Sequence, residues 1–275
     1  MGVELSKRPS RRRLRWVLGL ATVVVLAGTA GALYNQVTHN PGCVASEPCT
    51  RVLFLGNSYT AVNDLPQTFA DLAWSAHRRV EFGVQAPGGW TLADQADSPD
   101  TARLIAGTRW DFVVLQDQSE IPSVESSRQT LMYPAARLLV PMIRAAGAVP
   151  IFFLTWAHRD GWSDGGVPGY STMQRAIDAG YMFIASEQHA PVAPVGAAWS
   201  EVVNQESTPD LWQGDGSHPT TKGTYLAACV FYAVLFKSNS TGLGYHRWLF
   251  GQDATQVQIA ADSTVLGDLA RWGLA

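Results

Sequence analysis

Short apolar runs alternate with longer amphipathic stretches along most of the chain. Each run is followed by glycine or by a polar residue, which is typical of a strand that ends in a loop. A strand covered on both faces of a parallel sheet reads as a nearly continuous apolar segment. The pattern predicts strands at 52–55, 80–84, 112–115, 149–154 and 192–195.

The stretches between these runs carry apolar residues at helical spacing. They predict helices at 65–77, 127–146, 171–189 and 220–236, followed by a closing helix at 254–271. Strands that alternate with helices indicate βαβ units with right-handed crossovers. We therefore predict a three-layer α/β/α sandwich around a five-stranded parallel sheet. Ligands bind such sheets beyond the carboxyl ends of the strands.

A segment free of charged residues, 16–34, follows a basic N-terminal stem. As a helix it would span roughly 28 Å, close to the hydrocarbon core of a bilayer. Basic residues before the segment keep the N-terminus cytoplasmic and place the rest outside. A cleaved signal peptide is the alternative, with Ala30-Gly31-Ala32 as the cleavage site. The predicted organisation is a basic stem 1–15, a transmembrane anchor or signal segment 16–34, a linker 35–50 and a catalytic domain 51–275.

Composition narrows the class of protein. Apolar residues make up 47% of the chain and charged residues 16%, which indicates a folded domain. The net charge is −3, and because basic residues cluster in the N-terminal stem, the remainder is acidic. An acidic body argues against nucleic-acid binding. No metal or cofactor motif is present, so no cofactor is expected, and the oligomeric state is not predicted.

Two cysteines in the linker, Cys43 and Cys49, are candidates for a disulfide. A short loop closed by a disulfide fits an oxidising compartment outside the cytoplasm. The alternative is a pair of unrelated free thiols.

Candidate chemistry lies at two distant places. Ser58 follows the first strand, and Asp215 and His218 lie in a turn-rich segment before the helix at 220–236. A serine hydroxyl becomes a nucleophile when an imidazole takes its proton and a carboxylate orients that imidazole. Taken singly, Ser58 also fits an ordinary helix N-cap, and Asp215 and His218 also fit an ordinary surface turn.

Together the two segments resemble a known family. Gly56-Asn57-Ser58-Tyr59-Thr60 resembles the first block of SGNH/GDSL-type hydrolases, with Asn57 in place of the usual Asp. Asp215-Gly216-Ser217-His218-Pro219 resembles their last block. The resemblance implies a flavodoxin-like sandwich and metal-free acyl transfer, with Ser58 as nucleophile, His218 as base and Asp215 as its orienting acid.

The family builds its oxyanion hole from the serine N–H, a glycine N–H after the second strand and an asparagine side chain after the third. Gly89 fits the second place, but no matching asparagine block follows 112–115. A glutamine amide can donate the same hydrogen bond on a longer stem. We therefore expect Gln116 to be the side-chain donor, with Gln118 as the fallback. Candidates for the substrate cleft are Asn57, Trp90, Trp156 and His158.

The predicted activity is that of an extracytoplasmic serine esterase, held at the membrane by the N-terminal helix, or secreted if that segment is cleaved. Its location suggests O-acetyl groups on glycans as the substrate, and a small-molecule ester is equally compatible with the site. Two alternatives remain: an O-acyltransferase with the same three residues, and a non-catalytic binding module on an inactivated hydrolase fold.

Overall fold

The computed structural model describes residues 39–205 and 210–275. The stem 1–15 and the anchor or signal segment 16–34 lie outside these residues, so both remain predictions. Within the described ranges, no helix is both long enough and apolar enough to cross a bilayer.

Five parallel strands form one sheet in the spatial order β2-β1-β3-β4-β7. This confirms the predicted parallel α/β fold. A separate antiparallel pair, β5 and β6, follows β4 in the chain. The strands are β1 Cys49–Leu55, β2 Arg79–Gln85, β3 Phe112–Leu115, β4 Val149–Phe153, β5 Gly161–Trp162, β6 Val167–Pro168 and β7 Val192–Ala193.

The helices surround the sheet. In the described residues they are α1 Ser58–Ala61, α2 Leu65–Ser75, α3 Leu92–Asp97, α4 Pro99–Gly107, α5 Glu125–Ser127, α6 Tyr133–Ala145, α7 Tyr170–Glu187, α8 Val195–Gln205, α9 Thr221–Phe236 and α10 Gly251–Leu266. A π-helical turn, Arg128–Met132, joins α5 to α6.

Two groups of helices cover the two faces of the sheet. Helix α9 packs against both α2 and α10, while α3 packs against α6. The chain moves from β1 to β2 in one direction and from β2 to β3 in the other. Right-handed crossovers therefore place α2 and α3 on opposite faces. On the α2 face, Phe54 of β1 packs edge-on against Phe69 and Phe231 in the core.

The register of β1, β2 and β3 brings the loops that follow them to the same edge of the sheet, at the carboxyl ends of the strands. Leu55, the last residue of β1, pairs with Gln85 of β2 and Leu115 of β3. Two bonds extend the ladders past this row, from Gly56 N to Gln85 O (3.0 Å) and from Gln116 N to Leu55 O (2.9 Å). The segments after β1, β2 and β3 thus leave the sheet side by side.

Several predicted boundaries differ from the structure, among them the end of the sheet and the start of the domain. The last strand ends at Ala193, and Val195 already begins α8, because Pro194 has no N–H to continue a ladder. A second difference concerns the linker. A compact unit begins at Asn40, whose backbone N–H donates to Asp71 (2.8 Å) and whose side chain accepts from Val80 N (3.2 Å).

The segment before β1 also contains the disulfide. Cys43 and Cys49 are bonded to each other, as expected from their spacing. Cys49 is at the same time the first residue of β1. The disulfide therefore ties the segment that enters the domain to the start of β1.

Candidate active site

Ser58 is the first residue of α1, directly beyond the carboxyl end of β1. Asn57 caps this helix through its side-chain oxygen, which accepts from Tyr59 N. The Ser58 N–H lies in the first turn, where an N–H has no partner within the helix. Gly56 has no room for a side chain, since a Cβ would lie 2.4 Å from Gln116 Oε1 and 2.5 Å from Thr60 Oγ1.

The structure brings Ser58, His218 and Asp215 into one hydrogen-bonded chain. Ser58 Oγ lies 2.9 Å from His218 Nε2. On the other side of the ring, His218 Nδ1 lies 2.6 Å from Asp215 Oδ2. A hydroxyl, an imidazole and a carboxylate in this order have the geometry required for nucleophilic catalysis by serine.

Asp215 is held as a carboxylate. Desolvation opposes its ionisation, but hydrogen bonds from Ser217 N–H and from the ring and backbone N–H of His218 outweigh it and lower the pKa of Asp215 to about 2. A lowered pKa means that the ionised form is lost only as the pH falls below the ordinary range of a carboxyl group. The acid that orients His218 therefore remains charged at any pH where an esterase is assayed.

The turn that carries Asp215 and His218 is fixed from three sides. Trp156 Nε1 donates to Ser217 O (3.0 Å), and the Tyr59 hydroxyl is hydrogen-bonded to Ser217 Oγ (2.7 Å). From the loop after α1, Asn63 Nδ2 donates to Pro219 O (2.9 Å). These contacts connect the nucleophile segment with the base segment without passing through the reacting atoms.

Trp156 lies in the protein core, and not in the substrate cleft as predicted. Its ring is fully buried and stacked between Tyr59 (4.4 Å) and Trp199 (4.2 Å). Tyr59 in turn meets the His218 ring edge-on at 5.8 Å. A side chain with no exposed surface cannot line a substrate cleft, so the prediction for Trp156 is wrong. Its packing instead supports the Tyr59 ring that lies beside His218.

His158 lies close to the site but is bonded elsewhere. Its Nε2 atom is 3.2 Å from Ser119 Oγ, whereas the Nε2 that faces Ser58 belongs to His218. Burial lowers the pKa of His158 and favours the neutral ring. The half-buried position is compatible with the predicted place in the substrate cleft.

Gln116 does not have a free donor. Its side chain is fully buried, and its amide hydrogens go to Asn57 Oδ1 (2.8 Å) and to the backbone oxygen of Asp117 (2.5 Å). A side-chain amide has only two hydrogens to donate. The prediction that Gln116 binds the oxyanion is therefore wrong for this geometry.

Asn57 is likewise committed to the protein. It is 2% exposed, and its amide donates to Trp90 O (2.8 Å). Asn57 is therefore not a cleft residue as predicted. Trp90 is half-buried and directly follows the exposed pair Gly88 and Gly89. Its place in the substrate cleft stays a prediction.

Two predicted donors, Gly89 and Gln118, keep an N–H that no other described residue accepts. Gly89 is exposed with a φ of +77°, which favours glycine, and its N–H donates to no atom of the described residues. Gln118 is half-buried, with its Oε1 accepting from Glu120 N (2.8 Å) and one hydrogen shared with Ser119 Oγ (3.2 Å). Its second amide hydrogen has no acceptor among the described residues.

Sequence reasoning missed Asp117, which ties two loops of the site together. Its Oδ1 accepts from Leu92 N (2.9 Å), after the glycine pair, and from Gln118 N (2.8 Å). Asp117 is fully buried, and its Oδ2 has no hydrogen-bond partner. The sequence feature that could have indicated Asp117 is the run of polar residues 116–119 directly after an apolar strand. Polar residues are uncommon at buried positions unless they are paired.

Asp117 leads to a testable pH dependence of stability. Burial raises the pKa of Asp117 to about 7, although the N–H groups of Leu92 and Gln118 lower it. The unfolded chain releases this proton near pH 4, so the free energy of unfolding falls as the pH rises from about 4 to 7. Asp117→Asn keeps the shape and removes the charge. As the pH rises from about 4 to 7, we expect the free energy of unfolding of Asp117→Asn, minus that of wild type, to increase by up to about 4 kcal/mol.

Urea unfolding of both proteins at pH 4.5 and 7.5 measures this difference. The exposed Asp164 provides the control, since Asp164→Asn removes a carboxylate from the surface. A stability difference between Asp117→Asn and wild type that is the same at both pH values would contradict the prediction.

A serine hydroxyl, an imidazole and a carboxylate at the carboxyl edge of a parallel sheet define a hydrolase of the α/β class.

No protein-family model matches the chain, and no curated protein matches it in sequence. Solved structures do match. A putative SGNH hydrolase from Slackia heliotrinireducens is 29% identical, with 67% of this chain and 97% of that chain covered and a TM-score of 0.57.

Two further structures share the fold. A DUF4886 family protein from Bacteroides uniformis is 21% identical, with 80% of this chain and 96% of that chain covered and a TM-score of 0.68. A variant of an acetyl-xylooligosaccharide esterase from Geobacillus is 17% identical, with 66% and 92% covered and a TM-score of 0.52. These likenesses give the chain the fold of SGNH-type hydrolases, and the 29% identical neighbour supports an enzyme that acts on carboxylic ester bonds.

Proposed function

We propose that the chain hydrolyses esters through Ser58, His218 and Asp215 by way of an acyl-enzyme. The observation that carries the proposal is the continuous hydrogen-bonded chain from Ser58 Oγ through the His218 ring to Asp215. An inactivated fold kept only for binding would not need to hold these three groups in line. The geometry therefore favours catalysis over a binding module.

The reaction follows from the positions of the three groups. His218 Nε2 takes the proton of Ser58 as Oγ attacks the ester carbonyl carbon. Asp215 accepts the hydrogen of His218 Nδ1 and stabilises the imidazolium. His218 then gives the proton to the leaving alcohol as the carbon–oxygen bond breaks. A water molecule repeats the sequence on the acyl-enzyme, which releases the acid and restores Ser58.

The negative charge on the carbonyl oxygen needs donors that are already in place. The N–H groups of Ser58 and Gly89 are the proposed backbone donors, and Gln118 is the proposed side-chain donor in place of Gln116. One such donor contributes about 3 kcal/mol of transition-state stabilisation. The buried packing beneath these groups keeps them oriented before substrate arrives.

The proposal extends to the compartment of the domain and to its substrate. We propose a domain outside the cytoplasm, anchored through 16–34 or secreted, that acts on O-acetyl groups of glycans. The disulfide between Cys43 and Cys49 supports an oxidising compartment. A solved structure of the same fold is an acetyl-xylooligosaccharide esterase, which shows that the fold can accommodate acetylated sugars.

Covalent trapping tests the nucleophile directly. The full-length protein is treated with an organophosphonate ester that reacts with activated serines, and peptides are then analysed by mass spectrometry. We expect one phosphonyl group per chain, on the peptide that contains Ser58, together with loss of p-nitrophenyl acetate turnover. Labelling of another serine with parallel loss of turnover would contradict the assignment.

A further inference from the structure

Gln116 is the centre of a buried hydrogen-bond network under the nucleophile. Besides its two donated bonds, its Oε1 accepts from Asn57 N (3.0 Å) and from Thr60 Oγ1 (2.9 Å). The side chain is fully buried, so none of these bonds competes with water. A glutamine at the end of β3 thus holds both the entry and the first turn of α1.

Asn57 passes this constraint to a second loop. Its Oδ1 accepts from Gln116 Nε2 (2.8 Å), while its Nδ2 donates to the backbone oxygen of Trp90 (2.8 Å). Gln116 at the end of β3, Asn57 after β1 and Trp90 after β2 are therefore joined in series. We call these three residues the loop brace.

The loop brace ends one residue away from each proposed backbone donor. Asn57 precedes Ser58, and Trp90 follows Gly89. Gln95 adds a parallel tie, because its Nε2 donates to Gly56 O (2.9 Å) and to Gln85 O (2.9 Å). The spacing between the Ser58 N–H and the Gly89 N–H is therefore set by buried side-chain amides and not by the exposed loop itself.

We propose that Gln116 is a positioning residue that sets the geometry of the oxyanion hole without touching the substrate. The proposal rests on the function proposed above. Donors must lie about 2.7–3.1 Å from the developing oxyanion, and a displacement of about 1 Å can cost 10²-fold in rate. A side chain that spaces two such donors therefore controls the chemical step more than substrate binding.

Gln116→Met tests the proposal because methionine has a similar length and none of the hydrogen bonds. We expect kcat for p-nitrophenyl acetate to fall about 10- to 100-fold in the full-length protein, with KM changed less than about twofold. Gln258 offers a matched control. It is 1% exposed in α10, and its amide donates to Tyr225 Oη (2.9 Å) and Leu243 O (3.1 Å). Gln258→Met should lower stability while kcat stays within about twofold of wild type.

Gln116→Glu adds a readout that a loss of stability alone would not produce. The neutral acid keeps one acceptor oxygen and one donor, whereas the carboxylate would repel Asn57 Oδ1 and Asp117 O. Burial raises the pKa of an introduced carboxyl group. The ratio of kcat in Gln116→Glu to kcat in wild type should therefore rise as the pH falls from 8 to 6.

Asn57→Asp provides a second measurement if Gln116→Met does not fold. The carboxylate still accepts from Gln116 and Tyr59, but it cannot donate to Trp90. We expect a loss of kcat of the same order, with KM unchanged. A folded Gln116→Met with kcat within twofold of wild type overturns the proposal, as does a rise in KM alone. If only Asn57→Asp folds, an unchanged kcat overturns it.

Failure of this inference can be told apart from failure of the proposed function. If Ser58→Ala abolishes turnover while Gln116→Met leaves kcat intact, the catalytic assignment stands and the positioning role does not. If Ser58→Ala remains active, the catalytic assignment itself is wrong.

Discussion

Ser58→Ala is expected to lower kcat/KM for p-nitrophenyl acetate by at least ~10⁴-fold. Loss of the nucleophile removes the acyl-enzyme route, while backbone donors and substrate contacts leave a small residual rate. The substitution deletes one oxygen atom whose bond within the described residues is to His218 Nε2. The Ser58 N–H is unchanged, so the fold and the backbone donor should persist. Steady-state kinetics on the full-length protein measures the effect, and urea unfolding verifies that the variant is folded.

Ser126 supplies the matched control for this substitution. It is exposed on α5, away from the site, and Ser126→Ala should retain wild-type kinetics. A Ser58→Ala protein that kept more than a tenth of the wild-type kcat/KM would rule out Ser58 as the nucleophile.

His218→Ala and His158→Ala should have very different effects. His218 contacts both Ser58 and Asp215, so its removal leaves the hydroxyl without a base, and we expect kcat/KM to fall at least ~10³-fold. The Nε2 of His158 contacts Ser119 Oγ, so we expect a change below about tenfold, mainly in KM. Kinetics on both variants with p-nitrophenyl acetate makes the comparison.

The pair of histidine variants controls for the loss of an imidazole near the site. A larger loss in His158→Ala than in His218→Ala would reverse the assignment of the base. Equal losses would mean that the two rings act together.

The apolar pattern predicted the parallel sheet, because a buried parallel strand excludes polar residues along its whole length. β1 and β3 are recognisable for this reason. Helices α3, α4 and α8 were not predicted, and α3 and α4 were missed because they are short and rich in polar residues. They begin at side-chain caps, with Thr91 accepting from Asp94 N and Ser98 accepting from Thr101 N. Such caps depend on the backbone geometry before the helix, which the spacing of apolar residues in the sequence does not indicate.

In the candidate site, the sequence predicted which three side chains come into hydrogen-bond contact, but not which residues support them. Ser58, Asp215 and His218 lie in segments whose turn residues and positions are readable locally. The role of Gln116 was predicted wrongly, because a glutamine side chain is long enough either to donate into the cleft or to donate back to Asn57. Only the distance between the ends of β1 and β3 decides between these two positions. Trp156 was misread for a similar reason, since burial depends on Tyr59 and Trp199 packing on its two faces.

Ser58 and His218 are separated by 160 positions in the chain yet lie in hydrogen-bond contact. A ribosome synthesises Ser58 directly after the first strand of the sheet, and His218 only after all five strands have been made. A nascent or truncated chain that ends before residue 218 therefore contains a serine with no base to activate it. On the proposed mechanism, such an incomplete chain would not cleave esters at the site where it is made.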